Sequence, residues 1–288
     1  MPSYRFCRPD DIPLLVEAVN IAYRVHFPDE PLCSNVSFKQ EIRELNLWTS
    51  SCMIAMEGKE IIGVCIGCKR EKETLIYKVG VHPHYQRQGH GRHLLTSLQK
   101  KFSVLGPPRI VAEVPSDLKE ANSFFRELGF APGNRVIDYE FQETLKPLSA
   151  TDFIQELSLA GLIKAGVALD SDHLPWCRSR ETLMNMKDHI KIDAIVTSDR
   201  IEAFLLYHLS NRGGDQAGIL EILRYWFREQ EKEPQLCLIL LRKLTQLHPT
   251  KIRVPKLAEN DPYRSVLEDI GFQPTRQYVR YSCDARAL

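Results

Sequence analysis

At 288 residues the chain exceeds the ~100–200 residues usual for one domain, so two domains are expected. Its 43% hydrophobic content, 26% charged residues and balance of 38 Lys+Arg against 37 Asp+Glu describe a globular chain without the basic bias that a polyanion partner requires, which disfavours nucleic acid. Arg5, Arg8, Asp10 and Asp11 interrupt the N-terminus before an apolar export segment can develop, and runs such as "LCLILL" fall far short of the ~18 residues of a membrane span. Eight cysteines at no repeated spacing suit a reducing compartment, so a cytoplasmic protein with no membrane partner is expected.

In chain order, "RPDDIPLLVEAVNIAYRVHF" places Ile12, Leu15, Val16, Val19, Ile21, Ala22 and Val25 at roughly helical spacing, and "SFKQEIRELNLW" reads as a second helix with Ser37 as cap and Glu41 as its follower. "SCMIAMEGKEIIGVCIGC" is a β-hairpin turning at Gly58. Its Cys65 and Cys68 read as two small strand residues, because no second C-x-x-C completes a zinc site. "TLIYKVGVHP" is a strand, "GRHLLTSLQKKFSVLG" a helix, "RIVAEVP" a strand, "DLKEANSFFRELGF" a helix stopped at Gly129, and "RVIDYEFQE" a last strand.

The order then repeats. "IDAIVTSDRIEAFLLY" copies the hairpin, "GILEILRYWF" the next strand and "LCLILLRKLTQLHP" the helix. "TKIRVP", "DPYRSVLEDIGF" and "RQYVRYS" complete the set, with "RVP" matching "EVP" and Gly-Phe matching Gly-Phe. Two copies of one fold follow, 1–146 and 147–288, divided where Pro147 breaks the chain after a strand; the stretch leading into the second hairpin reads as mostly helical.

Between the first copy's third strand and its helix lies "VGVHPHYQRQGHGRHLL". A strand, a glycine-spaced loop and a helix N-terminus present unpaired backbone N–H groups and the positive end of the helix dipole to an anion. Gly89 and Gly91 remove side chains from the approach, and Arg87 and Arg92 add charge. The spacing matches neither G-x-x-x-x-G-K-[ST] nor G-x-G-x-x-G with a following acidic residue. His82, His84, His90 and His93 have no interleaved Cys, Asp or Glu, so no metal is expected there.

The remaining Q-x-x-G-x-G, Gln86 to Gly91, resembles the acyl-CoA pyrophosphate loop of the GNAT superfamily of N-acetyltransferases, and the downstream Ala-x-x-Phe-Phe-x-x-x-Gly-Phe strengthens the likeness over Tyr4 to about Leu145. The resemblance implies an α/β fold, α+β in its mixed sheet: two tandem GNAT-like domains, each a mixed twisted sheet flanked by helices. It implies acetyl-CoA as acyl donor, with Val79, Gly80 and Val81 meeting the pantetheine arm through main-chain groups. Gln86, Arg87, Gln88, Gly89, His90, Gly91 and Arg92 would hold the pyrophosphate. The implied reaction is direct transfer to a primary amine of a small molecule or peptide.

"IVAEVP" resembles the strand that carries the general base in the branch acetylating protein N-terminal alanine, which puts Glu113 in that role. The bland alternative makes Glu113 a surface residue or an ion-pair partner of Arg109 or Lys78. Two positions depart from the family pattern. Phe125 stands where a tyrosine often protonates the leaving thiolate, and Leu118 where an asparagine is common; Tyr139, Tyr77 or water are the remaining proton donors. Acceptor choice, by the same resemblance, falls to Tyr23, His26, Phe27, Asp29 and Glu30.

The second copy loses the loop. "FREQEKEPQLCLILL" has no glycine, Pro234 near the first glycine's place, and Glu229, Glu231 and Glu233 where a pyrophosphate would sit; the glycines of "SNRGGDQAG" precede the strand rather than follow it. A catalytic first domain and a degenerate second one are expected, the second able to complete the substrate cleft, extend the sheet or stand in for a dimer partner. The competing reading, motivated by Phe125 and Leu118, is an acyl-CoA-binding regulatory module without turnover.

Overall fold

The computed structural model describes the whole chain except residues 29, 144, 147–152, 168–173, 199, 211–217, 230–232 and 288. Two compact units emerge: Met1–Asn134 together with Val279–Leu288, and Arg135–Tyr278.

The first unit opens with a strand that helical and hairpin patterns leave unmarked, β1 (Pro2–Phe6), paired antiparallel with β2 (Met53–Glu57). The expected first helix forms in pieces. α1 (Ile12–Ala18) runs into a π-helical turn at Val19–Tyr23 and a 3₁₀ turn at Arg24–His26. α2 (Asn35–Leu45) is capped one turn earlier than expected: Ser34 is the N-cap and exchanges hydrogen bonds with Ser37, which sits at N3, so neither Ser37 as cap nor Glu41 as its follower holds. β2 turns through Gly58–Lys59 into β3 (Glu60–Lys69), which pairs with β4 (Glu73–Val81). Then follow α3 (His90–Leu105), β5 (Arg109–Pro115), α4 (Lys119–Glu127) and β6 (Ala131–Phe141).

The core of this unit explains its pattern. Leu94, Leu95, Leu98 and Phe102 of α3 and Phe125 of α4 pack on Ile62, Ile76, Ile110 and Ala112 of the sheet. Cys65 lies in the same core and Cys68 is equally buried; burial pushes the Cys65 thiol to about 12 and raises that of Cys68 further, so both are inert packing residues.

The second unit repeats the plan. β7 (Ile154–Glu156), α5 (Leu159–Lys164) and α6 (Arg180–Asn185) lead into β8 (Ile190–Thr197), β9 (Arg200–Ser210) and β10 (Ile219–Phe227). α7 (Glu233–Thr245), β11 (Lys251–Ala258), α8 (Arg264–Asp269) and β12 (Phe272–Asp284) follow. The stretch 146–189, expected to be mostly helical, also contains β7, the counterpart of β1.

The expected boundary between 146 and 147 does not hold. β6, read as the closing strand of the first copy, pairs with β11 of the second unit from Arg253↔Glu140 to Ala258↔Val136. The C-terminal part of β12 lies instead beside β5 and brings Tyr281 and Ala285 into the first unit's core. Alternation identifies a strand but is silent on which neighbour it takes. Pro147–Ser149, read as the linker, lie outside the described residues, as do Asp29, Glu231 and 211–217. No helix among the described residues is long and apolar enough to cross a membrane.

Candidate acyl-donor site

Two strands part at the centre of the first unit. β4 and β5 run parallel and pair from Glu73↔Arg109 to Ile76↔Ala112, and there the pairing stops. On its other edge β4 stays in register with β3 as far as Val79, Gly80 and Val81, with Tyr77 the extra residue of a bulge opposite Ile66–Gly67. His82 N donates to Ile62 O on β3, so alternation turns the main-chain groups of Val79 and Val81 away from β3 and into the gap.

Gly80 is required by packing. A Cβ there would lie 2.2 Å from the Ala22 carbonyl oxygen and 2.7 Å from the Tyr23 Cα, so the π-helical turn rests directly on the splayed strand.

The anion loop closes above this gap. α3 starts at Gly89, whose φ of +88° favours glycine, and Arg87 just before it also takes a positive φ, +60°. No side chain caps α3, so the N–H groups of His90, Gly91 and Arg92 stay available at the positive end of a 16-residue helix. Nothing lies within 4 Å of where a Gly89 Cβ would stand, leaving the approach open. Arg87 is exposed; Arg92 makes a loose exposed pair with Glu127 at 3.3 Å, too weak to withhold it from a ligand. Uncapped amides, an open approach and two guanidinium groups fit a pyrophosphate, and the gap below fits an extended arm that needs backbone partners.

Three side chains of the expected loop are otherwise engaged. The His90 imidazole is buried and bonded through Nδ1 to the Tyr4 hydroxyl at 2.6 Å, so only its backbone N–H faces a ligand. Gln86 donates to Val81 O at 3.2 Å and Gln88 to His84 O at 3.3 Å. His93 stacks on Tyr4 with centroids 3.8 Å apart, and His82 meets His84 edge-on at 5.0 Å.

Glu113 is half-buried on β5, one residue past the last β4 pair. Ile110, Ala112 and Val114 face the α3 side, so strand alternation puts Glu113 on the opposite face, the one covered by α1 and α2. Of its two suggested cationic partners, Arg109 pairs with Glu73 at 3.8 Å and Lys78 with Glu41 at 3.5 Å. The Lys78–Glu41 pair is buried at both ends, and its ammonium lies 4.8 Å from the Tyr77 ring centre and 5.5 Å from that of Tyr23. The sequence offered no signal that Glu41 turns inward; only tertiary packing joins it to Lys78. Tyr23 also stacks on Phe27 at 4.6 Å.

The phenols sort themselves by position. Tyr139 is fully buried in the second unit and donates to Glu268 at 2.7 Å, which removes it as a proton donor for the first. Tyr281, unsuspected from sequence, stacks on Phe125 at 5.8 Å and donates to Asn122 Oδ1 at 3.1 Å from a fully buried position. Tyr77 stands at the splay.

The second unit's counterpart is closed. β10 and β11 pair from Ile219↔Lys251 to Glu221↔Arg253 and then part, but Tyr225, Phe227 and Tyr263 pack together beyond, with ring centres 5.2 and 5.6 Å apart. Arg253 precedes Val254–Pro255 as Glu113 precedes Val114–Pro115, and it is bound to Asp138 at 3.0 Å and Glu221 at 3.6 Å. Glu233, buried in the first turn of α7, puts a carboxyl group where an anion would dock; burial raises its pKa above the ordinary range.

Comparison with known proteins agrees with this geometry. The family model described as acetyltransferase (GNAT) matches residues 16–130. Among solved structures, a GCN5-related N-acetyltransferase from Sphaerobacter thermophilus superposes with a TM-score of 0.72 at 12% identity, covering 99% of this chain and 96% of that one. A tandem GNAT protein from the clavulanic acid biosynthesis pathway gives 0.67 at 12% identity, covering 99% of both chains. A glucosamine N-acetyltransferase region of a fungal multi-domain β-N-acetylglucosaminidase gives 0.70 at 15% identity, covering 98% of this chain and 38% of that one. At such identities the superpositions speak for the fold alone, and the segment that matches the acetyltransferase (GNAT) family model, residues 16–130, holds the splayed strands and the anion loop.

Proposed function

We propose that the first unit is an acetyl-CoA-dependent N-acetyltransferase acting by direct transfer to a primary amine, and that the second unit binds no acyl-CoA. The observation that carries the reading is the uncapped N-terminus of α3 standing over the gap where β4 and β5 part. Acetyl-CoA supplies the activated thioester. The amides of His90, Gly91 and Arg92 with Arg87 hold its pyrophosphate, and the main-chain groups of Val79 and Val81 align its arm along β4.

The amine has to arrive neutral. Glu113, on the acceptor face of β5, takes its proton directly or through water, and the Tyr23–Phe27 wall orients the amine. Phe125 cannot return a proton to the departing thiolate; Tyr77, the bulged residue of β4, or a water molecule takes that role in this reading.

Mixing the full chain with acetyl-CoA and a panel of amines tests this by release of free thiol. Glu113→Gln should lower the neutral-pH rate about 100-fold and recover much of it as pH rises past the acceptor's own pKa, because a free amine no longer needs a base. An unaltered pH–rate profile would remove Glu113 from the mechanism. Tight CoA binding with no turnover of any amine would favour a sensing module, the reading that Phe125 and Leu118 motivate.

A further inference from the structure

His90 buries an imidazole that is bonded at only one of its two nitrogens. The residue is 5% exposed, its Nδ1 lies 2.6 Å from the Tyr4 hydroxyl, and its Nε2 is sealed from solvent with no hydrogen-bond partner among the described residues. Either tautomer leaves this defect: if Nδ1 accepts, Nε2 carries an unshared hydrogen, and if Nδ1 donates, Nε2 keeps an unshared lone pair. An aliphatic side chain would fill the same space without it, so the bond to Tyr4 is kept at a cost to the fold.

That bond acts on the first turn of α3. Gly91 has no side chain, and Arg92 makes its loose exposed pair with Glu127. The turn's other two side chains, His90 and His93, both meet Tyr4, one at its hydroxyl and one across its ring at 3.8 Å. Tyr4 is itself well fixed: it stands opposite Ala55 in the middle of β1 and packs against the core cluster that contains Leu94 and Leu95 of α3. Burial of Leu94 and Leu95 holds the second turn to the sheet, and the Tyr4 hydroxyl adds a directional bond one turn earlier, at the amides of His90, Gly91 and Arg92.

We infer that Tyr4 is a positioning residue for the acyl donor: acting through the His90 side chain, its hydroxyl holds the amides of the first turn of α3 at the pyrophosphate. The inference rests on the donor reading given above. Three N–H groups converge on the phosphates only while the turn keeps its angle to the sheet. Without the bond the turn samples other angles, and the ligand binds the competent fraction alone. The free energy of the lost bond bounds the weakening. The effect falls on the phosphates, and leaves the pantetheine arm and the amine as they were.

Calorimetric titration of the full chain with acetyl-CoA and with 3′-phosphoadenosine 5′-diphosphate, which keeps the phosphates and lacks the arm, tests this. Tyr4→Phe keeps the ring against His93 and removes only the hydroxyl, so both ligands should bind more weakly by one common factor, about three- to tenfold, the worth of one hydrogen bond. In turnover the donor KM should rise by that factor, with kcat and the amine KM unmoved. The double variant Tyr4→Phe/His90→Leu removes both polar partners together. It should bind as weakly as Tyr4→Phe yet melt at or above the wild-type temperature, a combination that a merely structural role does not give. His90→Asn, whose amide reaches the place of Nδ1, should bind both ligands within about twofold of the wild type, and His90→Gln, whose amide extends to the place of Nε2, should not. Unchanged affinity for both ligands in Tyr4→Phe and in the double variant, or a loss that only follows a lower melting temperature, overturns the role of Tyr4 and leaves the donor site standing. Failure of the wild type to bind either ligand overturns both.

Discussion

A chain ending at Tyr278 should lose the cooperative melting of the first unit and all acyl-donor binding, although every residue of the splay and the anion loop remains. Val279–Leu288 belong to that unit. Tyr281 is fully buried against Phe125, and its hydroxyl donates to Asn122, whose amide donates to Pro115 O at 2.8 Å and Leu118 O at 2.7 Å. Those bonds fix the turn from β5 into α4. Arg280 pairs with Glu73 at 3.3 Å, and Ala285 N donates to Pro108 O at 2.7 Å. Emptying one large aromatic site costs ~3–5 kcal/mol. Exposing the edge of β5 as well takes the total toward the ~5–15 kcal/mol that holds a whole domain together. Tyr281→Ala alone should cost about 3–5 kcal/mol in urea unfolding, and a fragment spanning residues 1–146 should melt without a transition. A truncated chain that still melts cooperatively at full amplitude and binds acetyl-CoA would show that the C-terminal strand is dispensable.

Gly91→Asp should weaken acetyl-CoA binding at least about 100-fold while leaving the fold intact or slightly firmer. A side chain at Gly91 meets only ordinary contacts, the Phe124 ring at 3.5 Å and Val81 Cγ2 at 3.6 Å, so Gly91→Ala is a fair control for bulk. The aspartate places a carboxylate in the first turn of α3. There it is worth ~0.3–1 kcal/mol to the helix through the dipole. Toward a pyrophosphate the same charge is repulsive, by about 4 kcal/mol for unit charges 4 Å apart at the effective dielectric of a protein surface. The two effects have opposite signs, so a thermal melt and a binding titration on one sample separate them. Undiminished binding in the aspartate variant would place the phosphates elsewhere.

Much of this was legible in the sequence because it is local. The hairpins, the Gly-rich turn before α3, the helices ending at Gly-Phe and their recurrence downstream all follow from periodicity and turn chemistry within a few residues. What escaped was long-range. β6 and β12 look like two equivalent closing strands, and nothing in "RVIDYEF" or "QYVRYSCD" says that the second one completes the first unit's core. Glu41 reads as the follower of a Ser37 cap until Lys78 is found beside it. Gly80 reads as part of a ligand-binding strand, yet its lack of a side chain answers to the backbone of Ala22 and Tyr23. The carboxylates before α7 were visible; the packing of Tyr225 and Phe227 on Tyr263 was not, because it joins distant segments.

The claim on which the rest depends is that one of the two units binds an acyl donor and the other does not. Calorimetric titration of the full chain with acetyl-CoA measures this as a stoichiometry. One site per chain, abolished by Gly91→Asp and competed by 3′-phosphoadenosine 5′-diphosphate, is the predicted result. Two sites per chain, or one that survives Gly91→Asp, would contradict it.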